Sequence, residues 1–439
     1  MKDVDLFIRN AATLVPVADG PAGPVPGGAM DRLTTIEDGA VAAKDGRVVA
    51  VGSTADVEDA VALLPGGVEV DASGCVVIPA FVDPHTHALF AGSREWEFDA
   101  RIRGRSYMEI AHSGGGINST VRTFRTTSDE DILRPSVARL RQMMLNGTAV
   151  VEIKSGYGLS TEEEIRALRL IRRLSELVPM EIHATFLGAH EVPDEFRGRK
   201  DAYVGVVIDE MIPRVAAEGL AEFCDVFCEE GVFSVDESER ILRAAARSGL
   251  KLKVHADELS PTGGAELAGR IGAVSADHLL FPSERGLLAM RDAGVVPVLL
   301  PGTSYSLGSE TYAPARRMIH MDLPVSLATD CNPGSSMTES MPFIVSLACL
   351  QMRLTPAEAL TAATRNAAGA IDRADSVGSL RPGHKAHIQV LDAPSFATIP
   401  YHVGRSHVRH LFIDGAWAVR DGRLGSWGER GPEGSHSGR

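Results

Sequence analysis

FVDPHTHALF, residues 81–90, follows directly on the apolar run Val76-Val77-Ile78-Pro79-Ala80, and its reading decides the fold. Two histidines at i and i+2 on an extended backbone point to the same side, so His85 and His87 can present both imidazoles to one ion. Two ligands do not complete a site, and the others must come from later in the chain. Taken alone, the pair also has a lesser reading as a polar loop whose histidines are hydrogen-bonded and inert. The remainder of the chain separates the two readings.

From residue 76 to about 375, apolar runs of five to seven residues alternate with amphipathic helical stretches, the βα signature of a parallel sheet. Eight candidate strands fall at 76–83, 148–153, 181–187, 223–228, 251–255, 273–277, 295–299 and 325–329. Helices are expected between them, at 131–145, 161–177, 202–217, 236–248, 263–270, 283–292 and 312–320, with another at 356–368. In that last helix Thr355-Pro356-Ala357-Glu358 supplies an N-cap, an N1 proline and a capping box. Eight such units predict an α/β fold with a closed (β/α)8 TIM barrel over residues 76–375. An open doubly wound sheet is the alternative, but residues 83–90 carry no Gly-rich phosphate turn.

Residues 1–75 read as short strands, among them a hairpin, 40–44 and 47–52, around Asp45-Gly46, with a Pro/Gly loop at 20–28. Residues 376–427 hold further short strands with turns at Asp414-Gly415 and Asp421-Gly422. The two ends are therefore expected to form one small β-sandwich domain interrupted by the barrel. Residues 428–439, rich in Gly, Ser and charge, are expected to be a flexible tail.

A chain of 439 residues can bury a large core, and its net charge of −14 lacks the basic footprint of a nucleic-acid surface. No run of 18 apolar residues is present, and the start, MKDVDLFIRN, is charged where a signal peptide is apolar. Five scattered cysteines make no disulfide framework. A cytoplasmic enzyme acting on a small molecule, with neither nucleic acid nor membrane as partner, is the expectation.

Active sites of such barrels lie at the C-terminal ends of the strands. There the sequence places His85, His87, Lys154, Tyr157, His190, His255, His278 and Asp330. Three imidazoles, His85, His87 and His255, with the Asp330 carboxylate suit zinc or iron and leave a position for water, whose pKa the ion lowers. Asp330 can take the water proton, His278 can hydrogen-bond the water or the leaving oxygen, and Glu258 can shuttle a proton to a leaving nitrogen or bind a substrate N–H. Arg94 can pair with a carboxylate or lie on the surface, and Asn332, Gly334 and Ser335 surround the last turn with polar donors. Cys331 has no histidine beside it in sequence to activate it, which argues against a thiol nucleophile.

The segments DPHTHALFAGSRE (83–95), SGGGI (113–117), EIKSGYGLS (152–160), TFLGAHEVP (185–193), HADELS (255–260), SADHLL (275–280) and LATDCNPGSSMTESMP (327–342) together resemble the imidazolonepropionase family of the amidohydrolase superfamily. That resemblance implies metal-dependent hydrolysis of the cyclic amide C–N bond of 4-imidazolone-5-propanoate to N-formimidoyl-L-glutamate, in histidine degradation. It implies metal ligands His85, His87, His255 and Asp330, and substrate or product contacts Arg94, Tyr157, His190, Glu258, Asn332, Gly334 and Ser335. Catalytic roles fall to Glu258, His278 and Asp330, the cofactor is one divalent or trivalent metal ion per chain, zinc or iron, and the assembly is a homodimer. Binuclear relatives carry a bridging lysine at the end of strand four; FCDVFCEEG at 223–231 has none, and Lys154 reads as a structural ion-pair lysine. Ala80 and Cys331 depart from the family pattern. A guanine-deaminase-like hydrolase and a metal-stabilised binding protein without turnover are the competing readings.

Overall fold

The apolar run before the two histidines serves two sheets. In the computed structural model, which describes residues 1–105, 109 and 113–425, the run is divided at Ala80. Strands β1 (Lys2–Leu14), β2 (Ile36–Lys44), β3 (Arg47–Ser53), β4 (Val61–Asp71) and β5 (Val76–Pro79) belong to one sheet, and β6 (Phe81–Asp83) begins the other. The Ala80 N–H donates to the His387 carbonyl of the first body (3.0 Å), while the Phe81 N–H donates to Gly147 at the start of the next barrel strand (2.9 Å). The sequence reading of 76–83 as a single barrel strand is corrected accordingly. Residues 76–82 are all apolar and buried, so periodicity carries no mark of the change of partner.

The barrel continues through β7 (Thr148–Lys154), β8 (Glu181–Ala189), β9 (Phe223–Cys228), β10 (Lys251–Ala256), β11 (Ser275–His278), β12 (Val296–Leu299) and β13 (Ser326–Leu327), each parallel to its neighbour. Between β13 and β6 the strand pairing gives way to a side-chain clasp. Asp83 accepts the Thr329 N–H (3.0 Å) and hydroxyl (2.6 Å), and the Asp330 N–H donates to the His85 carbonyl (3.1 Å). The seam is thereby closed beside the candidate ligands. The chain ends complete a nine-stranded sheet with β14 (Ile388–Leu391), β15 (Val408–Ile413), β16 (Ala416–Arg420) and β17 (Arg423–Leu424), in which β14 lies antiparallel to β5. The tail expected at 428–439 lies outside the described residues. Among the described residues, no helix is long and apolar enough to cross a membrane.

The helices follow the amphipathic pattern, with three informative departures. The Thr355/Glu358 capping box is present, but the helix stops at Ala363 and restarts at Arg365. The break lets Arg365 donate to the Gly23 carbonyl (2.7 Å) and Asn366 to Val325 (2.9 Å), binding the Pro/Gly loop to the barrel. A wide π turn, Val207–Met211, interrupts the helix read at 202–217. The helix Met341–Met352 was not read at all: it is apolar nearly all round, so it lacks the one-sided stripe by which a helix is recognised.

Barrel and sheet also meet through a charged cluster. His183 Nδ1 lies 2.7 Å from Glu222 and its Nε2 3.1 Å from Glu181, which also accepts from Lys385 (2.9 Å) and His387 (3.2 Å). Burial pushes the His183 imidazolium down, but the hydrogen bonds to Glu181 and Glu222 outweigh it and hold its pKa above 6.5. A pKa raised by folding contributes stability that is complete below the unfolded value and is lost as pH rises through the folded one. The stability difference between wild type and His183→Gln should therefore be largest below pH 6.5 and close above it; a difference that stays constant across pH in denaturant titrations would refute the charged pairing.

Candidate metal centre and substrate cavity

The candidate ligands converge from three strand ends. His85 and His87 follow β6, and Thr86 between them donates its hydroxyl to the Glu152 carbonyl of β7 (2.7 Å), which fixes the loop while both imidazoles face inward. His255 lies in β10, and Asp330 stands just after β13 in a left-handed conformation (φ 52°). Asp330 Oδ1 is 3.5 Å from His85 Nε2 and 3.6 Å from His87 Nε2, and His87 and His255 face each other through Nε2 at 3.5 Å. His278, at the end of β11, adopts φ 76° and joins His85 and His255 in a second close group. Non-glycine residues rarely adopt such backbone angles, and two at one rim mark a site whose geometry the surrounding structure enforces.

Two of the inward rings, His85 and His255, have a carboxylate beside the nitrogen on their other side. His85 Nδ1–H donates to Asp277 (2.5 Å), and His255 Nδ1 lies 2.9 Å from Asp225, which leaves both Nε2 atoms as acceptors. His85 Nε2 is buried without a hydrogen-bond partner among the described residues. An unpartnered imidazole nitrogen, two more facing it and a carboxylate oxygen form an oxygen and nitrogen donor set that fits a cation such as zinc or iron.

Sequence reasoning missed the two aspartates and the lysine role beneath them. Lys154 is fully buried, 2.7 Å from Glu152, 2.9 Å from Asp225 and 3.8 Å from Asp277. It is a structural ion-pair lysine, as read, but its partners are the groups that orient the histidines. Sequence spacing could not reveal this, because Asp225 meets His255 from the neighbouring strand β9 and Asp277 meets His85 from β11, pairings that exist only in the folded barrel. Thr303 was missed too; its hydroxyl donates to Asp330 Oδ2 (2.5 Å), leaving Oδ1 toward the histidines.

The substrate-side residues line one cavity of about 420 Å³ that opens over the histidines. Tyr157 sits on a loop held by the buried Glu164 carboxylate, which accepts the N–H groups of Gly156 (3.1 Å), Gly158 (2.8 Å) and Leu159 (2.8 Å). Gly156 has φ 103° and lies where a Cβ would meet His190 Nδ1 at 3.0 Å, which accounts for the glycine. His190 donates Nδ1–H to the Gly156 carbonyl (2.9 Å) and stacks on His87 with ring centroids 4.9 Å apart; burial first, then His255, lowers it to about 3, so it is neutral. Glu258 approaches His278 Nε2 at 3.5 Å, and burial first, then the nearby Asp330, raises it to about 8. Burial likewise lifts Asp330 to about 6.

Two expectations acquire detail here. Arg94 lines the cavity, yet its Nε and Nη2 both donate to Glu97 at 2.8 Å. Asn332 also lines it, but its side chain is engaged in its own loop, accepting from the Gly334 and Ser335 N–H groups at 2.8 Å and donating to the Asp330 carbonyl at 2.7 Å. Cys331 is fully buried, burial pushes its thiol well up, and its carbonyl accepts the His87 N–H (3.0 Å); nothing here makes it a nucleophile.

The Amidohydrolase family model matches residues 76–418. An imidazolonepropionase of Geobacillus kaustophilus is 49% identical over 420 residues, spanning 95% of this chain and 99% of the relative, and one of Symbiobacterium thermophilum is 49% identical over 97% and 99%. Among solved structures, an adenosine deaminase from Xanthomonas campestris with bound zinc superposes with a TM-score of 0.71 over 96% of this chain and 94% of that one, at 18% identity, a likeness of fold.

Removing the cation beneath the histidines should be severe. Lys154→Met leaves Glu152 and Asp225 buried without their partner, which should cost about 3–5 kcal/mol in the chelator-treated protein. Denaturant unfolding of that variant within about 1 kcal/mol of wild type would show that the pairing carries no stability.

Proposed function

The chain belongs to the amidohydrolase family and, within it, to the imidazolonepropionases, and from that premise we propose how its residues open the ring of 4-imidazolone-5-propanoate to give N-formimidoyl-L-glutamate. The observation that supports the reading most strongly is the convergence of His85, His87, His255 and Asp330 within 3.5–3.6 Å contacts at the floor of the cavity. These four are the proposed ligands of one zinc or iron ion per chain. When bound, the ion supplies Lewis-acid activation of water and of the ring carbonyl.

The chain's own groups do the rest. Asp330, anchored through Oδ2 by Thr303, presents Oδ1 to accept the proton of the attacking water. Glu258, raised to about 8 by burial, carries a proton at neutral pH and delivers it to the ring nitrogen as the C–N bond breaks. His278, 3.5 Å from Glu258, bonds the oxygen of the ring carbonyl as charge develops there. Neutral His190 and Tyr157, on the loop fastened by Glu164, face the ring, and Arg94, Asn332, Gly334 and Ser335 line the side on which the charged tail and product carboxylate lie. A cytoplasmic homodimer completes the reading, supported by the family resemblance.

Metal-replete protein should convert 4-imidazolone-5-propanoate with about one ion per chain; full metal content with no loss of ring absorbance would refute the assignment, and two ions per chain would refute the single site. Glu258→Gln should keep its metal and lower kcat by about 10²–10⁴-fold. Loss of metal in that variant would instead make Glu258 a ligand.

A further inference from the structure

Two of the groups that face the cavity, Tyr157 and His190, follow neighbouring strands, β7 and β8, and both depend on a carboxylate that does not line it. Glu164 lies in the first turn of the helix Thr161–Leu177 and is fully buried. It accepts the Gly158 and Leu159 N–H groups at 2.8 Å and that of Gly156 at 3.1 Å, and the Ser155 hydroxyl donates to it as well. Ser155 Oγ in turn accepts the Leu187 N–H (2.9 Å), three residues before His190. The Gly156 carbonyl receives His190 Nδ1–H (2.9 Å). One side chain thereby fixes the backbone on either side of Tyr157 and the acceptor that turns His190.

The loop needs such a hold. Leu159, a bulky residue, sits at φ 50°, a conformation that persists only where its surroundings over-determine it, and its N–H is one of those that Glu164 takes up. Gly158 packs so closely on the helix that a Cβ would lie 2.5 Å from the Glu163 backbone. Resting on the hydrolase reading above, we propose that Glu164 is a positioning residue for substrate binding: through Gly156, Gly158 and Leu159 it sets the angle at which the Tyr157 and His190 rings, with centroids 5.4 Å apart and planes tilted by 56°, meet the substrate ring. None of these bonds goes to a candidate metal ligand, so the loss of the carboxylate acts on binding and leaves the groups around the reacting water in place. Glutamine keeps the shape but replaces one acceptor oxygen by an NH2 donor that faces other donors.

Steady-state kinetics and histidine NMR on the zinc-loaded protein test the assignment. Glu164→Gln, shown to be folded by its thermal melt, should raise KM for 4-imidazolone-5-propanoate by about 10- to 100-fold and leave kcat within about threefold of wild type. Ser155→Ala, which removes one donor and keeps the three N–H bonds, should raise KM by less than about tenfold. In protein labelled with 15N-histidine, wild-type His190 should be the tautomer protonated at Nδ1, and Glu164→Gln should populate the Nε2–H form, a readout that needs no turnover. An unchanged KM in folded Glu164→Gln, with kcat lowered only by the fraction of protein lost, would make Glu164 structural alone and overturn the proposal, as would an undisturbed Nδ1–H tautomer in that variant. If Glu164→Gln does not fold, an unchanged KM in Ser155→Ala overturns it. Wild-type protein that holds the Nδ1–H tautomer but does not hydrolyse 4-imidazolone-5-propanoate would refute the proposed reaction, and the hold of Glu164 on His190 would still be read from the tautomer.

Discussion

The structure depends on a lysine placed where lysines are rarely found. Lys154 lies in the barrel with Glu152, Asp225 and, somewhat farther, Asp277, and Lys253 approaches Asp277 at 4.0 Å. Isolated, any of these charges would be prohibitively costly in such surroundings, so each makes the others tolerable. Three carboxylates against two ammonium groups leave an excess of negative charge directly below the histidine rings. That excess favours a cation at the ring nitrogens, and the same carboxylates hold the rings at the angle a cation needs. Burial, orientation and electrostatic preference are one arrangement.

Much of this was legible from local pattern. The two histidines after an apolar run, the eight alternating units and the capping box at Thr355 are features of spacing, and the structure places them as read. What escaped the reading depends on groups distant in sequence. Asp225 aims His255 from thirty positions away and Asp277 aims His85 from farther still, while Thr303 steadies Asp330 from a helix that has no amphipathic signal. Arg94 could be identified as a cation, but that Glu97 occupies it through both carboxylate oxygens is a fact of side-chain geometry. Apolar continuity concealed the rest: the run through Ala80 and the helix Met341–Met352 are buried on every side, and a pattern of exposure cannot mark a boundary where nothing is exposed.

The rim shows how backbone strain is supported. Asp257, His278 and Asp330 all adopt left-handed angles at the ends of parallel strands. Asp257 offsets its own with bonds from Gly263, Gly264 and Ala265 at the start of the following helix, and Asp330 with the bond from its N–H to His85 across the seam. Glu229 accepts the Leu259 N–H (2.8 Å), which steadies the loop that carries Glu258. The loops are thus tied to the strands at several points, so reacting groups on irregular backbone share the rigidity of the barrel.

The division at Ala80 has a consequence for descent. Because one unbroken extended segment ends in the outer sheet and begins the barrel, with no linker between, the small body is not a detachable module. Recombination that exchanged it would shift the histidine loop along the chain by whatever residues it added or removed, and a shift of a single residue turns a strand's side chains to the opposite face. The two bodies are therefore bound to be inherited together.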